Sequence, residues 1–297
     1  MNIFEIYLIS ICVLLVVAQL AKVKYFSFAA IFLYVLLIFF RGDKGADTIT
    51  YISAFEHDLS TVFIEPGFFL LTQLVKSIYD DFTVVLALQS LLIFFSLNVL
   101  LKKTSPIILV FYISFFGLTF DLSTLRQSIA FHSFIIFSYY FKNKLYSLLS
   151  VFVHASSLFG YIIYKLSDKF NLKLFLIFTL LAAFYLYTYI EEAPQFLNFE
   201  IKNIIQFFGI FIIHFLISAS NTSKALTLLF LLPIGFRFFA YNLLFDKSYK
   251  VENNIRGLFA ILIIFVLSII KILSFSMQSI ETDLEYSPVN IWPSLFL

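Results

Sequence analysis

Long apolar runs separated by short polar segments dominate the sequence. A transmembrane α-helix needs about 20 mostly apolar residues, within a range of roughly 17–25. About ten runs approach this length, and we predict that each forms a membrane span. They lie near 3–21, 25–40, 82–101, 106–122, 124–141, 145–164, 171–190, 202–219, 225–245 and 255–275. The pattern therefore predicts an all-α, polytopic integral membrane protein with one transmembrane domain over 1–297.

One connection, 41–81, is much longer than the others and is expected to be functional. Its first half is polar, whereas residues 65–79 read EPGFFLLTQLVKSIY. Pro66 fits the first turn of a helix, and the charge of Glu65 suits the positive end of the helix dipole. The segment is too short to span a bilayer, so we predict an amphipathic interfacial or re-entrant helix within this loop.

The distribution of Lys and Arg predicts the orientation, because short cytoplasmic loops collect these residues. With the N-terminus outside, the inner loops hold most of the lysines, whereas 41–81 is an acidic outer loop and 276–297 an outer tail. One region disagrees, because Lys165, Lys169 and Lys173 fall outside while Glu191 and Glu192 fall inside. The overall bias nevertheless favours a multi-pass protein whose long loop faces outward.

Composition supports the membrane interpretation and excludes several functions. Hydrophobic residues make up 61% of the chain and charged residues 13%, against about 25% charged residues in a soluble domain. The basic residues form no stripe for nucleic acid. Cys12 is the single cysteine, and neither metal-ligand spacing nor a nucleotide-binding motif is present. We therefore expect no cofactor, no metal and no nucleic-acid partner.

A few charged or titratable residues fall within or beside the apolar runs. Charges at membrane depth cost about 2.5–3.5 kcal/mol on insertion scales and usually face a bundle interior or a watery cavity. Arg41, Arg126, His154 and Arg237 are the main examples, and the arginines suit recognition of phosphate or carboxylate.

Each of these residues also has a structural interpretation. Arg41 could extend toward lipid headgroups, and Arg126 could pair with Asp121 at a helix start. His154 could form a hydrogen bond between helices, and this structural interpretation is favoured for His132 and His214.

Four short motifs occur in an order that resembles one known family. Residues 41–51, RGDKGADTITY, resemble the R-x3-G-x-D-T-x2-Y signature that opens the first large loop of the EpsG/Wzy-type polysaccharide polymerases. Residues 65–68 resemble the EPG-aromatic element of that family. Arg126-Gln127 with Ala130 resembles its RQ-x2-A helix start, and His154-Ala155-Ser156 resembles its H-x-S stretch.

This resemblance implies a membrane glycosyltransferase of the bacterial inner (cytoplasmic) membrane, with its active site facing outward. Its substrates would be undecaprenyl-diphosphate-linked oligosaccharides, which it would polymerise into O-antigen, capsule or exopolysaccharide. The lipid bilayer, a flippase and a chain-length regulator of the same pathway are the further partners implied.

Such a reaction needs a cation at the leaving diphosphate and a base at the acceptor hydroxyl. We assign Arg41 and Arg126, which lie in the matching motifs, and Arg237, which lies outside them, to the diphosphate and the sugar, with Arg in place of a divalent metal. His154 or Asp47 is the base. The acceptor site would be shaped by Tyr51, Gln127 and Glu65.

Two other functions are compatible with a cationic cavity in a membrane bundle. A transporter or flippase of lipid-linked oligosaccharide needs one as well, although such proteins tend to have two similar halves and the sequence contains no such repeat. A membrane O-acyltransferase would use His154 as its base.

Overall fold

A computed structural model of the protein describes residues 3–41, 48–56, 65–141, 144–158, 160–161, 201–217, 240–241 and 249–281. The described residues form helices and no strand, which confirms the all-α class. The chain divides into two compact units, one of Met1–Leu158 with Ile264–Leu297 and the other of Phe159–Ile263. The single transmembrane domain over 1–297 stays a prediction.

Within the described residues, three helices are long and apolar enough to cross a membrane: Ile3–Ala21, Thr83–Lys103 and Ile255–Ser274. Lys24–Phe39 and Pro106–Phe120 are shorter apolar helices. The span expected at 171–190 lies outside the described residues, as does all of 225–245 except 240–241. The count of about ten spans, estimated from run length, therefore stays a prediction.

The first unit contains the following elements in chain order. They are α1 (Ile3–Ala21), α2 (Lys24–Phe39), α3 (Thr48–Glu56), α4 (Pro66–Ile78), α5 (Thr83–Lys103), α6 (Pro106–Phe111), a π-helical turn (Tyr112–Gly117), α7 (Leu118–Phe120), α8 (Leu125–Tyr140), a 3₁₀ turn (Lys144–Leu148) and α9 (Leu149–Val153).

Helices α5 and α8 form the centre of this unit and run parallel to each other. Gln89 of α5 donates to Ser128 of α8 at 2.9 Å near their N-terminal ends. At the other end, the Lys103 ammonium lies 5.3 Å from the centre of the Tyr139 ring. Helix α2 packs on α5, and α1 packs on both α2 and α6. The connections that follow α2 and α7 therefore lie at the end of the bundle where α5 and α8 begin.

Helix α4 begins at Pro66, at the position expected from the sequence. Phe68, Thr72 and Val75 form its buried stripe, as the helical repeat requires. Leu70 and Leu74 on the rest of its surface are exposed and apolar. Contact with lipid would explain that surface, but the position of α4 relative to a membrane stays a prediction.

Two expected spans are less regular than hydropathy suggested. The apolar run 106–122 stays helical through Gly117, but Tyr112–Gly117 form a π-helical turn. The run 145–164 was expected to be one helix, but α9 ends at Val153 and His154 is extended, with φ −158° and ψ 128°. Irregular backbone at membrane depth is tolerated where it is buried in protein or lines a watery cavity.

The second unit contains α10 (Ile201–Leu216) and the beginning of α11 (Ile255–Glu281). His214 of α10 is buried, and its Nε2 lies 2.7 Å from the hydroxyl of Tyr249, which is also buried. This contact agrees with the structural interpretation of His214.

Candidate active site

Glu65 immediately precedes α4, but its carboxylate does not cap that helix. The side chain makes no capping hydrogen bond, although the position is one where a carboxylate would favour the helix dipole. Oε2 of Glu65 instead accepts a hydrogen bond from Nη1 of Arg126 in the first turn of α8, and the two side chains form an ion pair. Both remain partly exposed, at 16% and 19%. The pair therefore joins two distant helix starts at an accessible position.

The Arg126 guanidinium also lies against an aromatic ring. Its Cζ is 5.1 Å from the centre of the Tyr51 ring, and Tyr51 packs edge-on against Phe68 at 5.2 Å. The Nε of Arg126 is buried and has no hydrogen-bond partner in the part of the chain that the structure describes. Arg126 thus has a fixed guanidinium plane, and its partly exposed side chain suits contact with an anion.

His154 lies beside the same carboxylate. Its Nε2 is 3.9 Å from Oε1 of Glu65, and 26% of its side chain is exposed. Nδ1 lies 2.8 Å from the Ser156 hydroxyl and accepts the Ser156 backbone N–H at 3.1 Å. Because Nδ1 accepts a backbone N–H, it holds a lone pair, and the neutral ring carries its proton on Nε2. A ring that takes up a second proton, at Nδ1, becomes an imidazolium beside the Glu65 carboxylate.

Gly67 explains how α4 comes so close to the end of α9. A Cβ atom at this position would lie 2.7 Å from both the carbonyl carbon and the carbonyl oxygen of Phe152. Only glycine fits without displacing that backbone. The EPG sequence therefore supplies a carboxylate, a helix start and a close approach that together place Glu65 near His154.

The other predicted site residues are more deeply buried or undescribed. Arg41 is 1% exposed, and its Nη1 donates to the backbone carbonyl of Asp121. Gln127 is buried, and its Oε1 lies 3.5 Å from the hydroxyl of Thr124. Asp47 and Arg237 lie outside the described residues. The structure thus brings together Arg126, Glu65, His154 and Tyr51 from the predicted set.

The local pair considered between Asp121 and Arg126 does not form, because each residue has other partners. Asp121 is fully buried, and its carboxylate accepts hydrogen bonds from Tyr34, Ser128 and His132 at 2.7–2.9 Å. Tyr112 joins this interior network at 3.1 Å from Asp121 Oδ2 and 3.1 Å from His132 Nε2. Sequence reasoning did not identify this network, because its tyrosines and serines resemble ordinary residues of apolar helices.

A cavity of about 490 Å³ lies on another part of α3. Its lining includes Ile52, Phe55 and Glu56 from α3, and Asp80 and Thr83 from around the start of α5. The Lys76 ammonium fixes the end of α3 by donating to the Phe55 carbonyl at 2.6 Å. Helix α3 therefore contributes Tyr51 to the ionic cluster and its last turn to this cavity.

The sequence profile of the EpsG family matches residues 24–282. The chain belongs to the EpsG family. The family resemblance predicted from the four motifs is thus confirmed, and the match extends from α2 to the end of α11. No curated protein and no solved structure matches the chain.

Membership of the EpsG family suggests a polysaccharide polymerase that is embedded in a membrane. The three motif positions that meet in space, Glu65, Arg126 and His154, come from separate parts of the matched region. In this EpsG-family protein they form a partly exposed cluster of one carboxylate, one guanidinium and one imidazole. Such a cluster can bind an anion and transfer a proton at adjacent positions.

Proposed function

We propose that the protein is a glycosyltransferase that polymerises undecaprenyl-diphosphate-linked oligosaccharide repeat units. The reaction would take place at the outer face of the bacterial inner membrane and would produce surface polysaccharide. The observation that carries the proposal is the ionic cluster of Arg126, Glu65 and His154, in a chain that belongs to the EpsG family.

The reaction needs one bond to form while another breaks. The acceptor hydroxyl oxygen attacks the anomeric carbon of the growing glycan, and the bond from that carbon to the diphosphate oxygen breaks. The hydroxyl proton moves to a base, and the bonding electrons leave with undecaprenyl diphosphate. The site must therefore accept a proton on one side and stabilise growing negative charge on the other.

His154 is the base in this proposal. Nδ1 faces the Ser156 hydroxyl in the structure; in the proposal an acceptor hydroxyl takes that position and gives its proton to Nδ1, while Nε2 keeps its proton toward Glu65. The imidazolium formed would lie 3.9 Å from Oε1 of Glu65, whose negative charge stabilises it. Asp47, which lies outside the described residues, is the alternative base.

Arg126 stabilises the leaving diphosphate. Before the reaction its charge is balanced by Glu65. Proton transfer to His154 gives Glu65 a second cationic neighbour, and this weakens the ion pair between Glu65 and Arg126. The guanidinium, held flat against Tyr51, can then face the charge that develops on the diphosphate. Glu65 thereby couples the proton transfer to departure of the leaving group.

The remaining predicted residues have supporting roles in the proposal. Gln127 and Tyr51 shape the acceptor side, and Arg237 binds the diphosphate or the sugar. For Arg41, deep burial favours support of the neighbouring turn over direct contact with substrate. A flippase and a chain-length regulator are the proposed functional partners.

The decisive experiment uses purified protein in lipid vesicles with two lipid-linked repeat units, one of them labelled. We expect longer labelled glycan together with free undecaprenyl diphosphate. Arg126→Ala should abolish both, whereas Arg256→Ala, which removes an exposed arginine, should leave both unchanged. Absence of chain growth would refute the proposal, and movement of labelled lipid across the bilayer without elongation would identify a transporter.

A further inference from the structure

The interior network below the ionic cluster takes no direct part in the proposed chemistry. We infer that Asp121 is a positioning residue that fixes the start of α8 and thereby the direction of Arg126. The inference deepens the proposed function and rests on it for its consequence in activity. Its structural part can be tested without any activity.

All four strong acceptor contacts of the Asp121 carboxylate are made by buried side chains. Oδ1 lies 2.7 Å from the hydroxyl of Ser128 and 2.8 Å from Nε2 of His132. Oδ2 lies 2.9 Å from the hydroxyl of Tyr34 and 3.1 Å from that of Tyr112. A buried charge is tolerated only when it is satisfied in this way, and a half-satisfied network is costly. The carboxylate therefore has one well-determined position.

The backbone of Asp121 is held as firmly as its side chain. Its carbonyl oxygen accepts hydrogen bonds from Nη1 of Arg41 and, at 3.1 Å, from Nε2 of Gln89. Its N–H donates to the carbonyl of Gly117 at 2.9 Å. Three separate elements, which are the end of α2, the first half of α5 and the π-helical turn, thus converge on one residue.

Asp121 lies where these contacts can control the position of Arg126. The residue opens the short turn from which α8 begins, and Arg126 lies in the first turn of α8. Ser128 and His132, further along α8, return to the Asp121 carboxylate and lock the helix start against the turn. A displacement of about 1 Å at a catalytic group can cost about 100-fold in rate. Loss of the Asp121 charge should therefore misdirect Arg126 without removing it.

Gly117 is needed for the hydrogen bond between Tyr34 and Asp121. A Cβ atom there would collide with the Tyr34 hydroxyl and would lie 3.6 Å from Oδ2 of Asp121. The glycine thus leaves room for the Tyr34 hydroxyl to reach the carboxylate. The π-helical turn brings Tyr112 to the same carboxylate from the other side of the turn.

The structural test uses spin labels at Tyr79→Cys and Ser123→Cys in a Cys12→Ser background, which leaves Arg126 intact. Tyr79 is exposed beyond α4, and Ser123 is partly exposed in the turn before α8. Asp121→Asn should broaden the distance distribution between the labels, and the milder Tyr34→Phe should broaden it less. Ser138→Ala, which removes a buried hydroxyl near the far end of α8, should leave it unchanged.

The functional test compares Asp121→Asn in two backgrounds. We expect a fall in polymerisation rate of about 10- to 100-fold with Arg126 present, but less than about threefold in an Arg126→Lys background, because a positioning residue acts only through the group that it positions. Unchanged label distances in both Asp121→Asn and Tyr34→Phe would overturn the inference. Asp121→Asn lowering the polymerisation rate by the same factor in the Arg126→Lys background as in the wild type would overturn it as well. If the protein forms no polymer at all, the proposed function fails while the distance measurements still decide the role of Asp121.

Discussion

Arg126 carries a positive charge at the start of a helix, where the helix dipole disfavours it. The ion pair with Glu65 offsets that cost, and the Tyr51 ring adds a cation–π contact. A partly exposed ion pair of this kind contributes only about 1 kcal/mol to folding. The pair is therefore better explained by what it does at the site than by what it adds to stability.

Reversal of the pair separates these two roles. Glu65→Arg and Arg126→Glu should each lower the melting temperature, because each places two like charges side by side. The double variant restores an ion pair and should regain the melting temperature, which is measured in detergent. Polymer formation should stay at least about 100-fold below wild type, because the carboxylate and the cation have exchanged positions relative to His154.

Glu252→Arg combined with Arg256→Glu is a matched control. Both residues are exposed in the second unit, so this exchange should alter neither melting temperature nor polymer formation. Recovery of normal polymer formation in the Glu65 and Arg126 exchange would show that the pair is structural, against the roles proposed for it.

Sequence reasoning identified the members of the cluster but not all of their partners. Arg126 and His154 were conspicuous because charged and titratable residues are rare in apolar runs. The partner considered for Arg126 was the nearby Asp121, whereas the actual partner, Glu65, is 61 positions away. The interior network could not be predicted from the sequence, because Tyr34, Tyr112 and Ser128 carry no charge and gain their meaning only from the fold.

Helix boundaries could be predicted where a local residue determines them, but not where tertiary contacts do. Pro66 fixed the start of α4, since a proline at the first helical position needs no N–H partner. The end of α9 had no comparable signal, because the apolar run continues through His154. The break there accompanies the hydrogen bond from the Ser156 backbone to the His154 ring and brings the imidazole to Glu65.

The close contact between α4 and α9 can be tested directly by substitution of Gly67. Gly67→Ala would place a Cβ atom 2.7 Å from the Phe152 carbonyl group, which is backbone and cannot turn away. Overpacking of this kind costs about 1–3 kcal/mol, which exceeds the helix propensity of about 1 kcal/mol that alanine gains over glycine. We expect a lower melting temperature and about a tenfold or greater loss of polymer formation, because α4 must move Glu65 away from His154.

Leu70→Ala is the control for the Gly67 substitution. Leu70 lies on the exposed side of the same helix, 66% exposed, and its truncation should change polymer formation less than about twofold. Wild-type stability and activity in Gly67→Ala would show that the two helices are not in the close contact described.

For the molecule as a whole, the length of the apolar runs and the composition were enough to predict the all-α membrane class. The number of spans was harder to predict, because several apolar runs are short or interrupted. The two ends of the bundle nevertheless differ in chemistry within the first unit. Lys102 and Lys103 end α5 and lie over the Tyr139 ring, with Nζ to centroid distances of 5.8 and 5.3 Å. Basic residues at the end of a span are typical of the cytoplasmic side, whereas aromatic residues occur at both interfaces.

This difference predicts that the ionic cluster faces outward, and the prediction has a simple test in intact cells. In a Cys12→Ser background, Tyr79→Cys should react with a membrane-impermeant maleimide from outside. Tyr140→Cys should react only after permeabilisation, because Tyr140 lies at the end of α8 that is near Lys102 and Lys103. The two tyrosines are similarly exposed, at 60% and 58%, so a difference in labelling reports location and not burial.

The native Cys12 is buried within α1 and should stay unlabelled in the wild-type protein, which provides the background measurement. The opposite labelling order would place the ionic cluster of Arg126, Glu65 and His154 at the cytoplasmic end of the bundle. A polymerase that acts at the outer face would then be excluded, even if the geometry of the cluster were correct. Labelling of both positions from outside would instead show that α8 does not cross the membrane. The topology experiment therefore tests a part of the proposed function that variants in the cluster leave open.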